Sequence, residues 1–177
     1  MKFKKISVIG LGYIGLPTAA IFASHEIEVV GVDVNKNVVD TINQGDIHIM
    51  EPDLDLLVDQ VVKEGYLRAT TTAESSDAFL IAVPTPFIGE NKKPDLSFIE
   101  SACISIAPVL NEGNIIILES TSPVGTTEKV NEWLAELRPD LTFPNNNDEN
   151  SDIRIAHCPE RVLPGKVLKE LVTNDRV

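Results

Sequence analysis

The sequence predicts an α/β fold of the doubly wound kind: a mainly parallel sheet with helices on both faces. Three observations carry this. Short apolar runs without polar alternation recur along the chain, as strands buried on both faces require. Between them lie stretches whose apolar residues repeat at i, i+3, i+4 and i+7, the period of an amphipathic helix. Gly10-Leu11-Gly12-Tyr13-Ile14-Gly15 directly follows the first apolar run, and Asp33 closes the second.

The elements follow in order. Lys5-Ile6-Ser7-Val8-Ile9 is the first strand. A helix over roughly 13–24 follows, with Pro17 near its first turn, where a missing N–H matters least. Glu28-Val29-Val30-Gly31-Val32 is the second strand. Residues 35–44 read as a helix stopped by Gly45. Leu54, Leu57, Val58, Val61 and Val62 line one helix face, and Gly65 is its predicted C-cap. Residues 67–71 form a short strand and 78–83 a buried one. Ser97 and Glu100 predict a capping box, behind which Ile99, Ala102, Cys103, Ile106, Val109 and Leu110 keep helical spacing. Residues 114–118 are again a strand. Val130, Trp133, Leu134 and Leu137 line a helix that stops before Pro139. Residues 144–152 are polar and Asn-rich and read as a mobile loop, and 153–156 are the last strand. No internal repeat of solenoid period is found in the sequence.

Bulk properties bound the function. A chain of 177 residues with 43% hydrophobic residues holds one domain with a real core. Its 27 acidic and 15 basic side chains give a net charge of −12, which disfavours a nucleic-acid partner. Cys103 and Cys158 form neither a metal-ligand spacing nor a disulfide framework. A reduced, cytoplasmic compartment fits this usage, and His157 lacks partners at metal spacing, so no metal is expected. Lys2, Lys4 and Lys5 precede an uncharged stretch over 6–23 that superficially resembles a signal peptide or membrane span. Three glycines and Pro17 interrupt it, and a buried strand plus a core-facing helix accounts for its apolarity. No membrane partner is expected.

In an open parallel sheet, ligands sit beyond the carboxyl ends of the strands, so the residues after each strand carry the chemistry. Gly10, Gly12 and Gly15 supply a tight turn, a bare backbone for a pyrophosphate, and close helix–strand packing. Tyr13 and Ile14 add helix-terminal N–H groups. Asp33 is placed to accept hydrogen bonds from a ribose diol and to repel a 2′-phosphate, so NAD is expected over NADP; Lys36 argues the other way. Glycines alone are not diagnostic, but strand, glycines, helix, strand and acid within about 30 residues specify a dinucleotide site. Pro84-Thr85-Pro86 reads as a rigid turn that presents the Thr85 hydroxyl to cofactor, or as a turn alone. The segment over 119–127 carries five hydroxyls and a glycine at a helix start, more than capping requires. After the last strand, Glu160 is a candidate general base and Arg161 a candidate phosphate partner; a surface ion pair between them is the alternative. Cys158 lies beside Glu160, which disfavours a thiolate, and is expected to be a small buried residue.

Taken together, Gly-Leu-Gly-Tyr-Ile-Gly-Leu-Pro, Val83-Pro84-Thr85-Pro86, Glu119-Ser120-Thr121-Ser122-Pro123-Val124-Gly125 and Cys158-Pro159-Glu160-Arg161 resemble, in this order, the UDP-glucose/UDP-N-acetylmannosamine 6-dehydrogenases. The resemblance spans the whole chain. Within the family, Asp46-Ile47-His48-Ile49-Met50-Glu51-Pro52-Asp53-Leu54 and the segment over 158–165 look like the branch acting on UDP-N-acetyl-D-mannosamine. The UDP-glucose branch usually has Asn-Pro-Glu-Phe at the second segment. The resemblance implies a four-electron oxidation of a UDP-sugar: alcohol to aldehyde, then a cysteine thioester, then carboxylate, with two NAD+. It implies that Tyr13, Ile14, Asp33, Thr85 and Thr127 contact NAD. Thr121 and Glu160 would help place the water or proton of the hydrolytic step, and Arg161 and Val162 would line the substrate side. Family members carry a helical middle domain and a second Rossmann-like domain, which hold the nucleophilic cysteine and most of a homodimer interface. Neither Cys103 nor Cys158 matches that nucleophile's setting. The chain is therefore expected to be the NAD-binding domain, 1–177, of a longer enzyme, binding NAD without turnover. A free-standing NAD-binding sensor and another GxGxxG dehydrogenase are the competing readings.

Overall fold

The structure, a computed structural model, describes residues 3–89, 91–144 and 150–175. Among the described residues eight strands form: β1 (Lys5–Ile9), β2 (Glu28–Val32), β3 (Leu67–Thr70), β4 (Ala78–Ile81), β5 (Phe87–Ile88), β6 (Lys93–Pro94), β7 (Ile115–Leu118) and β8 (Arg154–His157). The helices are α1 (Gly15–Ser24), α2 (Lys36–Asn43), α3 (Leu54–Lys63), α4 (Ser97–Ile106), α5 (Thr126–Leu137) and α6 (Val167–Thr173). Six strands build one sheet in the order β3-β2-β1-β4-β7-β8, and every neighbouring pair is parallel. This is the doubly wound Rossmann arrangement, with the order reversing between β1 and β4.

The continuous apolar strands now have their reason. Val29 of β2 packs into a core with Leu16, Ala19 and Ala20 of α1, Ile42 of α2 and Val58 of α3. Val30, its neighbour, points to the opposite face and packs with Phe79, with Ile99 and Ile106 of α4, and with Val130 of α5. Both faces of the sheet are covered at the central strands β1, β2 and β4, so there neither parity of strand residue can be polar without a partner, whereas edge strand β8 is largely exposed. Ser7 obeys this: it is 0% exposed and its hydroxyl meets that of Ser76 at 2.9 Å.

Several expectations need correction. The Ser97–Glu100 capping box does not form. Ser97 is already helical, and the Asp95 carboxylate accepts its N–H at 2.9 Å. Leu137 is 42% exposed and lies off the buried face of α5, whose core contacts are Val130 and Leu134. Cys158 is half-buried rather than buried and borders an apolar cavity between α1 and α6. Cys103 is fully buried in α4, and desolvation pushes its thiol up to about 12. The small antiparallel hairpin of β5 and β6 and the short helix α6 were not foreseen. Two-residue strands and a seven-residue helix are too short to show a period. The expected loop over 144–152 falls largely on 145–149, outside the described residues. Among the described residues, no helix is long and apolar enough to cross a membrane.

One ion cluster pins the amino end of the sheet. Arg68 of β3 grips Glu74 with two bonds of 2.7 and 2.6 Å, and Lys5 of β1 reaches the same carboxylate at 3.1 Å. Above all the Arg68 bonds, then Lys5, hold the Glu74 carboxyl well below its ordinary 4.5, at about 2. A depressed carboxyl contributes stability that is complete above its unfolded value and disappears as pH falls toward the folded one. Glu74→Gln should therefore lower the urea midpoint at pH 6, and the difference from the parent should vanish near pH 2. A difference that does not change with pH would refute this role.

Candidate dinucleotide site

The glycine turn leaves the carboxyl end of β1. Gly10 takes φ +91°, open to glycine at little cost, and its N–H donates to the Val32 carbonyl at 2.8 Å. Gly15 opens α1 against this turn so closely that a Cβ would lie 1.7 Å from the Gly10 carbonyl oxygen. Gly12 is the opposite case: a Cβ there would meet nothing within 4 Å. No side chain caps α1, and its first turn holds no acid. Its positive dipole end is therefore left to an external anion.

Asp33 ties the end of β2 to the same turn. One carboxylate oxygen accepts the Leu11 N–H at 3.0 Å, and the other accepts the Asn35 N–H at 2.9 Å. Each oxygen has two lone pairs, so both keep acceptor capacity for a ribose diol. Lys36 is drawn away: both oxygens of Asp40, one helical turn on, hold its ammonium at 2.6 and 2.7 Å. The one residue that argued for a 2′-phosphate thus already has a counter-charge.

Two further loops close the site. The Thr85 hydroxyl donates to the Thr121 carbonyl, joining the turn after β4 to the loop after β7. Ser120 strengthens this join with its hydroxyl at 2.7 Å from the Val83 carbonyl. Thr126, buried at 2% exposure, donates to the Pro123 carbonyl at 2.7 Å and shapes the start of α5. Part of the hydroxyl-rich segment is therefore scaffold.

A cleft of about 410 Å³ opens where these loops meet. Gly12, Tyr13 and Ile14 line one side, Thr85 and Thr121 another, and Glu160 the end. The Glu160 carboxylate accepts the Val162 N–H at 2.6 Å, which fixes it in its own loop. Gly10 and Gly15 form the turn behind the cleft rather than its wall. Thr127, second residue of α5, is half-buried and does not line it. Arg161 is exposed and Val162 half-buried, both outside the lining. Among the described residues, Arg161 and Glu160 form no salt bridge.

Glu119 went unassigned in the sequence reading. It is 1% exposed, lines the cleft, and accepts from the Thr18 hydroxyl at 3.5 Å. Its signal was available: an acid placed directly after a run of buried strand residues at the ligand end of the sheet. The donor set fits a dinucleotide: an uncapped helix start for phosphate, open space over Gly12, and a locked acid for ribose.

A family model described as the NAD binding domain of the UDP-glucose/GDP-mannose dehydrogenase family matches residues 4–177. The chain belongs to this family.

Among its relatives, an NDP-N-acetyl-D-galactosaminuronic acid dehydrogenase of Ralstonia nicotianae is 66% identical over 99% of the chain and 41% of its own length. A UDP-N-acetyl-D-mannosamine dehydrogenase of Campylobacter jejuni is 65% identical over 99% of the chain and 43% of its own. The solved UDP-N-acetyl-mannosamine dehydrogenase of Staphylococcus aureus superposes with a TM-score of 0.87 at 44% identity, covering 97% of this chain and 40% of that one. The chain thus spans about two fifths of the length of the curated relatives it matches. This family's dehydrogenases use NAD, in agreement with Asp33.

Proposed function

We propose that residues 1–177 form the NAD-binding domain of an enzyme that oxidises the C6 alcohol of UDP-N-acetyl-D-mannosamine to the uronate with two NAD+. The observation that carries this is the single cleft joining the α1 N-terminus, Thr85, Thr121 and Glu160. It links a phosphate-binding end to an acid that can manage a proton. The two segments over 46–54 and 158–165 support the mannosamine branch. The Ralstonia relative favours a second reading, in which the sugar is N-acetyl-galactosamine.

In this reading Gly10, Gly12 and Gly15 let the pyrophosphate approach the backbone, and Tyr13 and Ile14 offer it N–H groups. Asp33 accepts the ribose hydroxyls, Thr85 contacts NAD from the cleft wall, and the contact of Thr127 with NAD rests on the family resemblance alone, since it lies outside the lining. Bound NAD+ supplies the hydride acceptor. Thr121 and Glu160 hold and deprotonate the water that cleaves the thioester, whose cysteine lies outside this chain. Arg161 and Val162 face the nucleotide sugar. Full activity requires further domains, a homodimer or larger assembly, and a cytoplasmic setting.

Calorimetry on the domain tests the cofactor assignment. NAD should bind at least about tenfold tighter than NADP, because Asp33 repels a 2′-phosphate in a partly desolvated site. Asp33→Ser should narrow that gap. Tighter binding of NADP to the parent would overturn the assignment. A panel of UDP-sugars on the full-length protein then tests the substrate: preference for UDP-N-acetyl-D-galactosamine or UDP-glucose would overturn the mannosamine reading, and absence of turnover with all of them would favour a sensor.

A further inference from the structure

The segment over 46–54, on which the resemblance to the mannosamine branch rests, does not line the cleft. Glu51 within it is 6% exposed, in the loop between α2 and α3. Burial of a carboxylate is unfavourable unless donors replace water. Its donors come from the far end of the chain. One oxygen accepts the Gly165 N–H at 2.8 Å and the other the Val167 N–H at 2.6 Å. Those partners lie 114 and 116 residues away in sequence.

Five residues before Gly165 in the same stretch lies Glu160. The stretch is also tied from its other side, where the Leu163 N–H donates to Glu170 at 2.8 Å and Asn174 donates to the Arg161 carbonyl at 2.7 Å. Both of these ties stay within the segment, α6 and its C-cap Asn174. Glu51 instead fastens the unit to the body of the domain, beside the first core. The Glu160 carboxylate, already bonded to Val162, can keep its place in the cleft while that unit is held.

The geometry points to Glu51 as a positioning residue: its buried carboxylate clasps Gly165 and Val167 and so holds the loop that carries Glu160 at the cleft. This rests on the reading of Glu160 as the acid–base group of the hydrolytic step. Both clasp bonds need an acceptor. A glutamine has one acceptor and one donor end, so Glu51→Gln sets an amide NH2 against one of the two clasp N–H groups, of which that of Val167 is buried and that of Gly165 part-buried, at nearly unchanged volume.

The test is a double-mutant cycle in the full-length protein with Glu51→Gln, Glu160→Gln and both, read alongside hydrogen exchange. Glu51→Gln should speed exchange over 160–167 and leave β1, β2 and β4 unchanged. It should lower kcat at least about tenfold, as loss of alignment does, with the KM for NAD within about twofold. Because it acts through Glu160, it should add less than about twofold to the Glu160→Gln defect. Multiplying effects, or wild-type kcat in Glu51→Gln beside a slow Glu160→Gln, would overturn the positioning role alone. Wild-type turnover in Glu160→Gln would overturn the reading of Glu160 and the positioning role with it. Glu51→Asp, still charged and one methylene shorter, carries the same cycle if the glutamine variant does not fold.

Discussion

Gly15→Ala is expected to abolish measurable NAD binding and to destabilise the domain by about 3 kcal/mol or more, at the upper end of overpacking effects. The added methyl would sit 1.7 Å from the Gly10 carbonyl oxygen and 2.9 Å from its carbon. Both are backbone atoms, so no side chain can swing aside. The turn and the start of α1 must separate, and Ala82, 3.3 Å away, blocks one direction. The same methyl at position 12 gives the contrasting result. Gly12→Ala meets no protein atom within 4 Å and should fold with its thermal midpoint nearly unchanged. It places its methyl where the pyrophosphate must approach, so NAD affinity should fall about 100-fold, as loss of close, charge-assisted contacts does. Thermal unfolding and calorimetry on both variants decide this. A Gly12→Ala protein that binds NAD like the parent would remove the glycine turn from the proposed site.

Glu160→Gln should reduce steady-state turnover of the full-length protein by about 10²- to 10⁴-fold, the usual contribution of a general acid–base. The amide keeps the size of the side chain and can still accept from Val162, so the loop keeps its shape. It cannot take a proton from water. The defect should therefore fall on thioester hydrolysis, after the hydride transfers. Rapid mixing should show a burst of NADH at near-parental rate followed by slow release. Normal turnover in this variant would make Glu160 structural.

How much of the site could be read in advance depended on how local its chemistry is. The glycine turn and Asp33 are separated by one helix and one strand, so residue type and spacing were enough. Thr85, Thr121 and Glu160 could be proposed together because each follows a strand of the same parallel sheet, and such sheets gather their carboxyl ends. Glu119 was quoted within a motif but given no role, since an acid after a strand does not announce whether it turns inward. The capping box failed for a related reason. Asp95, two residues before Ser97, competes for the same N–H and wins. Lys36 counted against NAD until Asp40, which sits on the same helix face, was seen to hold it.

Four motifs in order carried the resemblance to the family; the amino-acid sequence by itself determined the doubly wound sheet, its main strands and helices, and the glycine turn. Those features rest on period, residue type and short-range spacing, all of which are linear properties of a chain. Tertiary structure alone decided which polar groups share a boundary. It placed Glu160 in one cleft with Tyr13 and Thr121, left Thr127, Arg161 and Val162 outside the lining, and gave the Glu51 carboxylate the N–H groups of Gly165 and Val167. Such pairings follow from three-dimensional packing across more than a hundred residues of chain, where no local pattern records which donor meets which acceptor.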